Sequence, residues 1–358
     1  VPLAGLTQLI IFMQLNIFKR KRKESTEPLF DEKFLRRLER LSFRAAPTLR
    51  GVMLGDQRSR NLRPALDFSD HRSYVPGDDL RHIDWHIYAH HEKFFIKLGE
   101  ASQSVNIHIL LDCSRSMAWE PQSTSLTLEN IISNPAGIVT LGRKRSKWNV
   151  ARRLAGALAY VALANGERVR ITAFADALGE SFGPIQGKKQ VIGPLRFLSN
   201  LTPALPLEPE DSRNESGLAE SLTRYARGHA EGGLLVLISD LLDTFSVEEG
   251  NGGEGLTEGL RYLTLPRWQV LVMHLLSNEE MQPTVEGDFD FEDIETTESL
   301  PFYIDRNILA EYRLRMRRWC TRLESICTRE GTTYSRVMAE WPLEKKVIPY
   351  LRQRGVVR

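Results

Sequence analysis

The chain has 358 residues, 42% of them apolar and 26% charged, the balance of a globular protein of one large domain or two ordinary ones. Its 48 basic and 46 acidic side chains leave a formal net charge of +2, which gives no general attraction for nucleic acid. The three cysteines, Cys113, Cys320 and Cys327, are too few for a disulfide framework and point to a reducing compartment.

Residues 1–18, VPLAGLTQLIIFMQLNIF, carry no charge and run into KRKRK at 19–23. The apolar stretch is at the lower edge of a membrane span, and its basic flank would face the cytoplasm. Pro2, Gly5, Thr7, two glutamines and Asn16 argue against a span, and a secretory signal would place its basic residues first. Residues 1–25 therefore read as an apolar and basic extension, disordered in the favoured reading, with membrane contact through 1–23 as the alternative. In 29–49, Phe30, Phe34, Leu35, Leu38 and Leu41 recur at helical spacing, so one amphipathic helix is expected. Residues 50–92 mix arginines, Arg58, Arg60, Arg63, Arg72 and Arg81 among them, with aspartates that include Asp67, Asp70, Asp78, Asp79 and Asp84, and hold few long apolar runs, which suggests an irregular segment held by ion pairs and hydrogen bonds. Within it VPGDD (75–79) is a turn, and Asp78 or Asp79 is placed to cap the helical turn of LRHIDWHIYAHH.

From Phe94 onward short apolar runs alternate with amphipathic helices. Strands are expected at 94–100, 105–112, 168–176, 233–240, 268–276 and 332–338. Helices are expected at 147–166, 188–201, 216–230, 255–265, 307–331 and 342–355. Such alternation predicts an α/β domain with a mostly parallel sheet and helices on both faces. Cys320 and Cys327, seven apart, share one buried face of the 307–331 helix. Polar loops at 120–146 and 246–255 interrupt the order.

The run ILLDCSRSMAW (109–119) carries chemistry. Open parallel sheets bind ligands at the carboxyl ends of their strands, and Asp112 lies at one. In extended chain i, i+2 and i+4 face one side, so Asp112, Ser114 and Ser116 present a carboxylate and two hydroxyls to one point. Oxygen donors of this kind suit Mg²⁺, or another hard divalent cation such as Mn²⁺ or Ca²⁺. Neutral hydroxyls leave the ion electrophilic toward a carboxylate from outside. Asp240, at the end of VLISD, is placed to hold metal-bound water, and Ser216 at a helix start to add a third hydroxyl.

D-C-S-R-S at 112–116 resembles the D-x-S-x-S motif of the metal-ion-dependent adhesion site in the von Willebrand factor A fold. DFSDHRSYVPGDDLRHIDW (67–85), with its Y-x-P-G-D-D-L-R-x-I-D-W core at 74–85, resembles the signature of the bacterial domain-of-unknown-function 58 family. The resemblance covers about 28–357 and takes in LFDEKFLRRLERL, ALAYVALANGERV, SDLLD, FDFEDIETTE and PLEKKVIPYLRQRG. It implies a Rossmann-like von Willebrand factor A-type domain over 101–358, with an insertion at 120–146. A signature segment, 26–100, would precede it and pack on it. It implies that Ser114 and Ser116 ligate directly, and that Asp112 and Asp240 act directly or through water. Ser216-Gly217-Leu218 stands where the family has a threonine followed by Asp-Leu, and His90 where an arginine is expected. The partner class it implies is a MoxR-type AAA+ ATPase, acting with the chain on client proteins in chaperone-like remodelling or maturation.

Other constellations are weaker. His82, His86 and His90 recur every four residues beside His91, but read as packing around Trp85 and Tyr88 rather than as a zinc site. No G-x-S-x-G elbow and no G-x-x-x-x-G-K-[ST] loop occurs. The expectation is a cytoplasmic metal-dependent protein-binding module, peripheral to the inner membrane face in its alternative form, and not an enzyme. The rival readings are a metal-dependent hydrolase using Asp112 and a metal-free structural module anchored at the membrane.

Overall fold

A computed structural model of the chain describes residues 30, 32–45, 49, 68–74, 83–91, 93–99, 104–118, 146–175, 177–203, 217–245, 253–283, 287–292 and 299–358. The extension at 1–25, His82, Asp78 and Asp79, nearly all of the 120–146 insertion and Ser216 lie outside the described residues. These residues divide into two compact units, one running to Leu49 and resuming at Val105, the other lying between Arg50 and Ser104. Residues 30–49, grouped by the sequence reading with the signature segment, are part of the first unit.

Helix α1 (Glu32–Leu38) is shorter than the expected 29–49. It stops because the chain beyond it turns to pair with the C-terminus. Phe43 bridges Val357 in antiparallel fashion, and Ser42 and Arg358 exchange backbone hydrogen bonds of 3.1 and 2.9 Å. The second unit is more regular than its mixed charge suggests. β1 (Phe68–Ser73) and α2 (Trp85–His91) precede β2 (Phe95–Gly99), and β1 pairs antiparallel with β2 from Ser73↔Phe95 to Phe68↔Gly99. The cap of α2 is Asp84, whose Oδ1 accepts from the backbone N–H groups of His86 (2.9 Å) and Ile87 (3.3 Å). Tyr88 stacks on Phe94 with ring centroids 4.5 Å apart.

The first unit continues with β3 (Asn106–Asp112), α3 (Lys147–Ala164), β4 (Arg168–Phe174), β5 (Leu178–Gln186), α4 (Ile192–Asn200), α5 (Leu218–Gly228) and β6 (Gly233–Ser239). Then come α6 (Glu254–Leu260), β7 (Trp268–Leu276), α7 (Asn278–Met281), β8 (Gly287–Glu292), β9 (Ser299–Ile304), α8 (Arg306–Arg329), β10 (Thr333–Met338) and α9 (Ile348–Gln353). Six strands form one sheet in the order β10-β7-β6-β3-β4-β5. All neighbours are parallel except β5, which runs antiparallel to β4. The fold is thus mixed α/β with a mostly parallel sheet, as expected. β8 and β9 form a separate antiparallel hairpin.

The alternation of strand side chains builds two cores. Ile107, Ile109 and Leu111 of β3 join Val236 and Ile238 of β6 under α3, which contributes Ala151, Leu154, Leu158 and Val161. Leu110, Leu235 and Leu237 point the other way, to Leu222 and Tyr225 of α5, Leu256 and Leu260 of α6, and Tyr312, Met316 and Leu323 of α8. Strands covered on both faces need no polar side, which is why β6 appears in the sequence as an unbroken apolar run and β3 and β7 as runs interrupted only by Asn106, His108, Gln269 and His274 before their ends. Each of the Val, Leu, Ile and Met side chains in these cores contributes about 1.5–3 kcal/mol on burial. β5, by contrast, is largely exposed along LGESFGPIQ and carries Pro184, which an edge strand tolerates and a central one does not. Its apolar signal is weak for that reason. Among the described residues no helix is long and apolar enough to cross a membrane.

Candidate metal centre

Strand order runs outward from β3 through β4 to β5 on one side and from β6 through β7 to β10 on the other. The direction of winding therefore reverses between β3 and β6, and in open α/β sheets the crevice beyond the strand ends at such a reversal is where ligands bind. Asp112 ends β3 and Asp240 directly follows β6. Leu111 pairs with Ile238, so the two acids lie at adjacent strand ends.

Asp112 is buried, and both its oxygens are engaged. Oδ1 accepts from the backbone N–H of Ser114 at 2.8 Å, and Oδ2 from the hydroxyl of Ser239 at 2.5 Å. The first bond curls the chain into the turn that Arg115–Ala118 completes, a single turn of 3-10 helix. That turn, and not the extended chain expected from the i, i+2 spacing, brings Ser114 Oγ and Ser116 Oγ to 2.9 Å, both half-buried. Neighbouring donors in an octahedron with bonds of 2.0–2.1 Å are about 2.9 Å apart, so the two hydroxyls fit one edge of a Mg²⁺ shell. The charge around them fits as well. Burial foremost, then the charges of Asp240 and Asp243, push the Asp112 carboxyl up to about 7, against the hydrogen bonds from Ser239 and Ser114. A cation at the hydroxyls would relieve that accumulation of negative charge.

Asp240 has a second role that its position in the sequence does not disclose. Its Oδ2 lies 2.7 Å from the ammonium of Lys147, and its Oδ1 accepts from the backbone N–H of Leu242 at 3.3 Å. Lys147 Nζ also lies 2.5 Å from Glu280 Oε1, and all three side chains are essentially without solvent exposure. Burial works against the lysine charge, but Asp240 and Glu280 together outweigh it and hold the ammonium above the ordinary lysine range. Glu280 is set in place by a capping box at the start of α7: Ser277 Oγ accepts from Glu280 N–H, and Glu280 Oε2 from Ser277 N–H at 2.7 Å. Between Asp240 and Leu242 the chain passes through Leu241 at φ 56°, a left-handed conformation that a bulky residue holds only when its surroundings fix it. Ser239 Oγ accepts the Leu241 N–H at 2.9 Å, and Thr244 donates its backbone and hydroxyl hydrogens to the Leu241 carbonyl at 2.9 and 2.7 Å.

Of the five residues read from the sequence, the structure brings Asp112, Ser114 and Ser116 together and sets Asp240 at the neighbouring strand end. Ser216 lies outside the described residues. Lys147, Glu280 and Ser239 were missed. A signal for Lys147 exists: a lysine in the first turn of a helix opposes the helix dipole, so one buried there needs acidic partners. For Glu280 the signal is the S-x-x-E pattern of SNEE at 277–280. Among the described residues no group of three or more His, Cys, Asp or Glu side chains is arranged to hold a metal, so a centre here depends on serine hydroxyls. His86 and His90 pack ring against ring, 5.1 Å between centroids. Beside the rim a cleft of about 480 Å³ opens between α5 and α6, lined by Leu218, Thr223, Asp243, Thr244, Glu258 and Tyr262 among others.

The family model described as "Protein of unknown function DUF58" matches residues 70–141 and 140–321. No curated protein matches the chain. Among solved structures it is similar to the conserved hypothetical protein BatB from Bacteroides thetaiotaomicron, with 18% identity and a TM-score of 0.37, over 70% of this chain and 99% of that one. It is also similar to an aerotolerance-related membrane protein from Bacteroides fragilis NCTC 9343, with 16% identity and a TM-score of 0.33, over 70% and 98% of the respective chains. Likeness at that level carries no argument about fold or activity here. The family match spans most of the sequence, and the chain belongs to the DUF58 family of proteins of unknown function.

Proposed function

We propose that the chain is a metal-dependent protein-binding module that holds Mg²⁺ at the rim between β3 and β6 and takes an acidic side chain of its partner as a further ligand. The observation that carries this reading is the pair of hydroxyls, Ser114 and Ser116, 2.9 Å apart at the winding reversal, with two buried carboxylates behind them. Strand order supports a Rossmann-like, von Willebrand factor A-type assignment. Counting only the strands of the sheet, it reads 3-2-1-4-5-6 with the third strand antiparallel.

In this reading Ser114 and Ser116 hold the ion directly. Asp112 fixes the turn that presents them, and Asp112 and Asp240 supply negative charge without neutralising the ion from within its shell. A bound divalent cation supplies an electrophilic point for a carboxylate. The protein's own donors there are neutral, so the visiting acid meets a largely uncompensated charge. The engagement of both Asp112 oxygens favours a binding role over a hydrolase in which Asp112 reacts. Family resemblance suggests a MoxR-type AAA+ ATPase as partner and client proteins as the target of joint remodelling. It suggests work in the cytoplasm or at the inner membrane face.

The test is capture of partners from lysate by the full chain with Mg²⁺, with chelator, and as Ser114→Ala. The same protein retained in the first condition and lost in the other two supports the reading. Retention in all three overturns it, and turnover of a substrate abolished by Asp112→Ala would favour the hydrolase.

A further inference from the structure

Lys147 is the least expected residue of the rim. It occupies the first position of α3, where the unpaired N–H groups of the helix make the surroundings positive, and it is fully buried. A methionine there would cover the same area without the cost of burying an ammonium. Replacing buried ion pairs by apolar residues is often neutral or stabilising. Simple stability is therefore a poor reason for the lysine. Its placement suggests another. The acids it holds, Asp240 after β6 and Glu280 in α7, come from the ends of two neighbouring parallel strands, on the same rim as the hydroxyl pair. Asp240 is also one of the two acids whose charge bears on Asp112. The ammonium thus neutralises part of the negative charge that would draw a cation to Ser114 and Ser116.

We infer that Lys147 is an internal counter-ion that competes with the divalent cation for the rim's carboxylates and so sets the affinity of the Ser114–Ser116 site. The inference rests on the metal-binding reading above and adds to it the residue that tunes the site. With Lys147 seated on Asp240 and Glu280, the strand ends stay assembled whether or not a cation is present. The cation then gains less from Asp240 than it would from a free carboxylate. Lys147 is a positioning residue: its ammonium donates to Asp240 and Glu280 and acts on the site through them.

Calorimetric titration of chelator-stripped full-length protein with MgCl₂ tests this, with thermal melts in parallel. The variants are Lys147→Met/Glu280→Gln, which removes one charge of each sign, and Glu280→Gln, which leaves Lys147 with Asp240 as the one carboxylate of the pair. The double variant is expected to bind Mg²⁺ about tenfold more tightly than wild type, the scale on which residues behind the ligands act. Its melting temperature should rise more on Mg²⁺ addition. Glu280→Gln is expected to bind more weakly than wild type, and it decides the matter alone if the double variant does not fold. Adding Ser114→Ala to the double variant should abolish the gain. If wild type binds and neither variant differs from it, the counter-ion role is overturned and the metal reading stands. A gain that survives Ser114→Ala also overturns it. If the double variant binds and wild type does not, Lys147 is the competitor and the reading of the wild-type site as loaded falls. If neither binds, both fall.

Discussion

Ser239 donates its hydroxyl to Asp112 Oδ2 at 2.5 Å, joining residues 127 positions apart across the ends of β6 and β3. The same oxygen accepts the backbone N–H of Leu241, so one small side chain both anchors the first acid of the rim and holds the left-handed turn that follows Asp240. Ser239→Ala is expected to cost roughly 1.5–3 kcal/mol, since it strips a buried carboxylate and a buried N–H of a partner. Urea unfolding would measure the loss. If Asp112 is positioned by this bond, Mg²⁺ affinity should fall roughly tenfold as well.

Ser114→Ala and Ser116→Ala should separate binding from folding. Both side chains are half-buried and hydrogen-bond chiefly to each other, so each substitution should change stability by about 1 kcal/mol or less. Loss of one of two direct donors should nevertheless weaken Mg²⁺ binding by more than about tenfold. Calorimetry beside a thermal melt checks both halves. A binding isotherm unchanged in both variants would remove the hydroxyl pair from the site.

Gly233 opens β6 at φ 146°, and a Cβ there would run into the carbonyl oxygen of Asn106. The contact is between backbones of adjacent strands at the start of the β3–β6 pair, where nothing flexible can yield. Gly233→Ala should destabilise the protein by several kcal/mol, beyond the usual range for a surface change. Near-wild-type unfolding of this variant would contradict the close approach.

His108 lies buried in β3 with Nδ1 2.8 Å from the Tyr225 hydroxyl. Burial first, then the charges of His229 and Arg170, bring its pKa down to about 3, against the Gly232 carbonyl. The folded state keeps this imidazole neutral, while the unfolded chain protonates it near 6.5. Its contribution is thus fully present above about pH 6.5 and is lost as pH falls toward about 3. The slope should approach about 1.4 kcal/mol per pH unit in that window. Unfolding free energies of wild type and His108→Gln between pH 4 and 7 should differ in slope by about one proton. Parallel slopes would place His108 in contact with water.

The sequence by itself determined the elements whose side chains report their own surroundings. Mostly apolar runs marked β3, β6 and β7, because a strand covered on both faces has no polar side to show. The 3.6-residue spacing marked α3 and α8, and D-x-S-x-S at a strand end marked Asp112, Ser114 and Ser116 as oxygen donors, although a 3-10 turn and not extended chain brings the two hydroxyls together. These are local properties, fixed within a few residues of chain. Tertiary structure alone decided the rest. β5 and β1 are held by backbone hydrogen bonds along polar or mixed sequence, which leaves no periodic apolar signal, and the partner of β2, expected as a strand, came only with the fold. The partners of Lys147, 93 and 133 residues away, depend on which strand ends become neighbours when the winding reverses between β3 and β6. Asp240 could be read as an acid at a strand end, but its pairing with a buried ammonium follows from the packing of α3 against the sheet. A charge is acceptable in such a place only where the fold delivers its opposite.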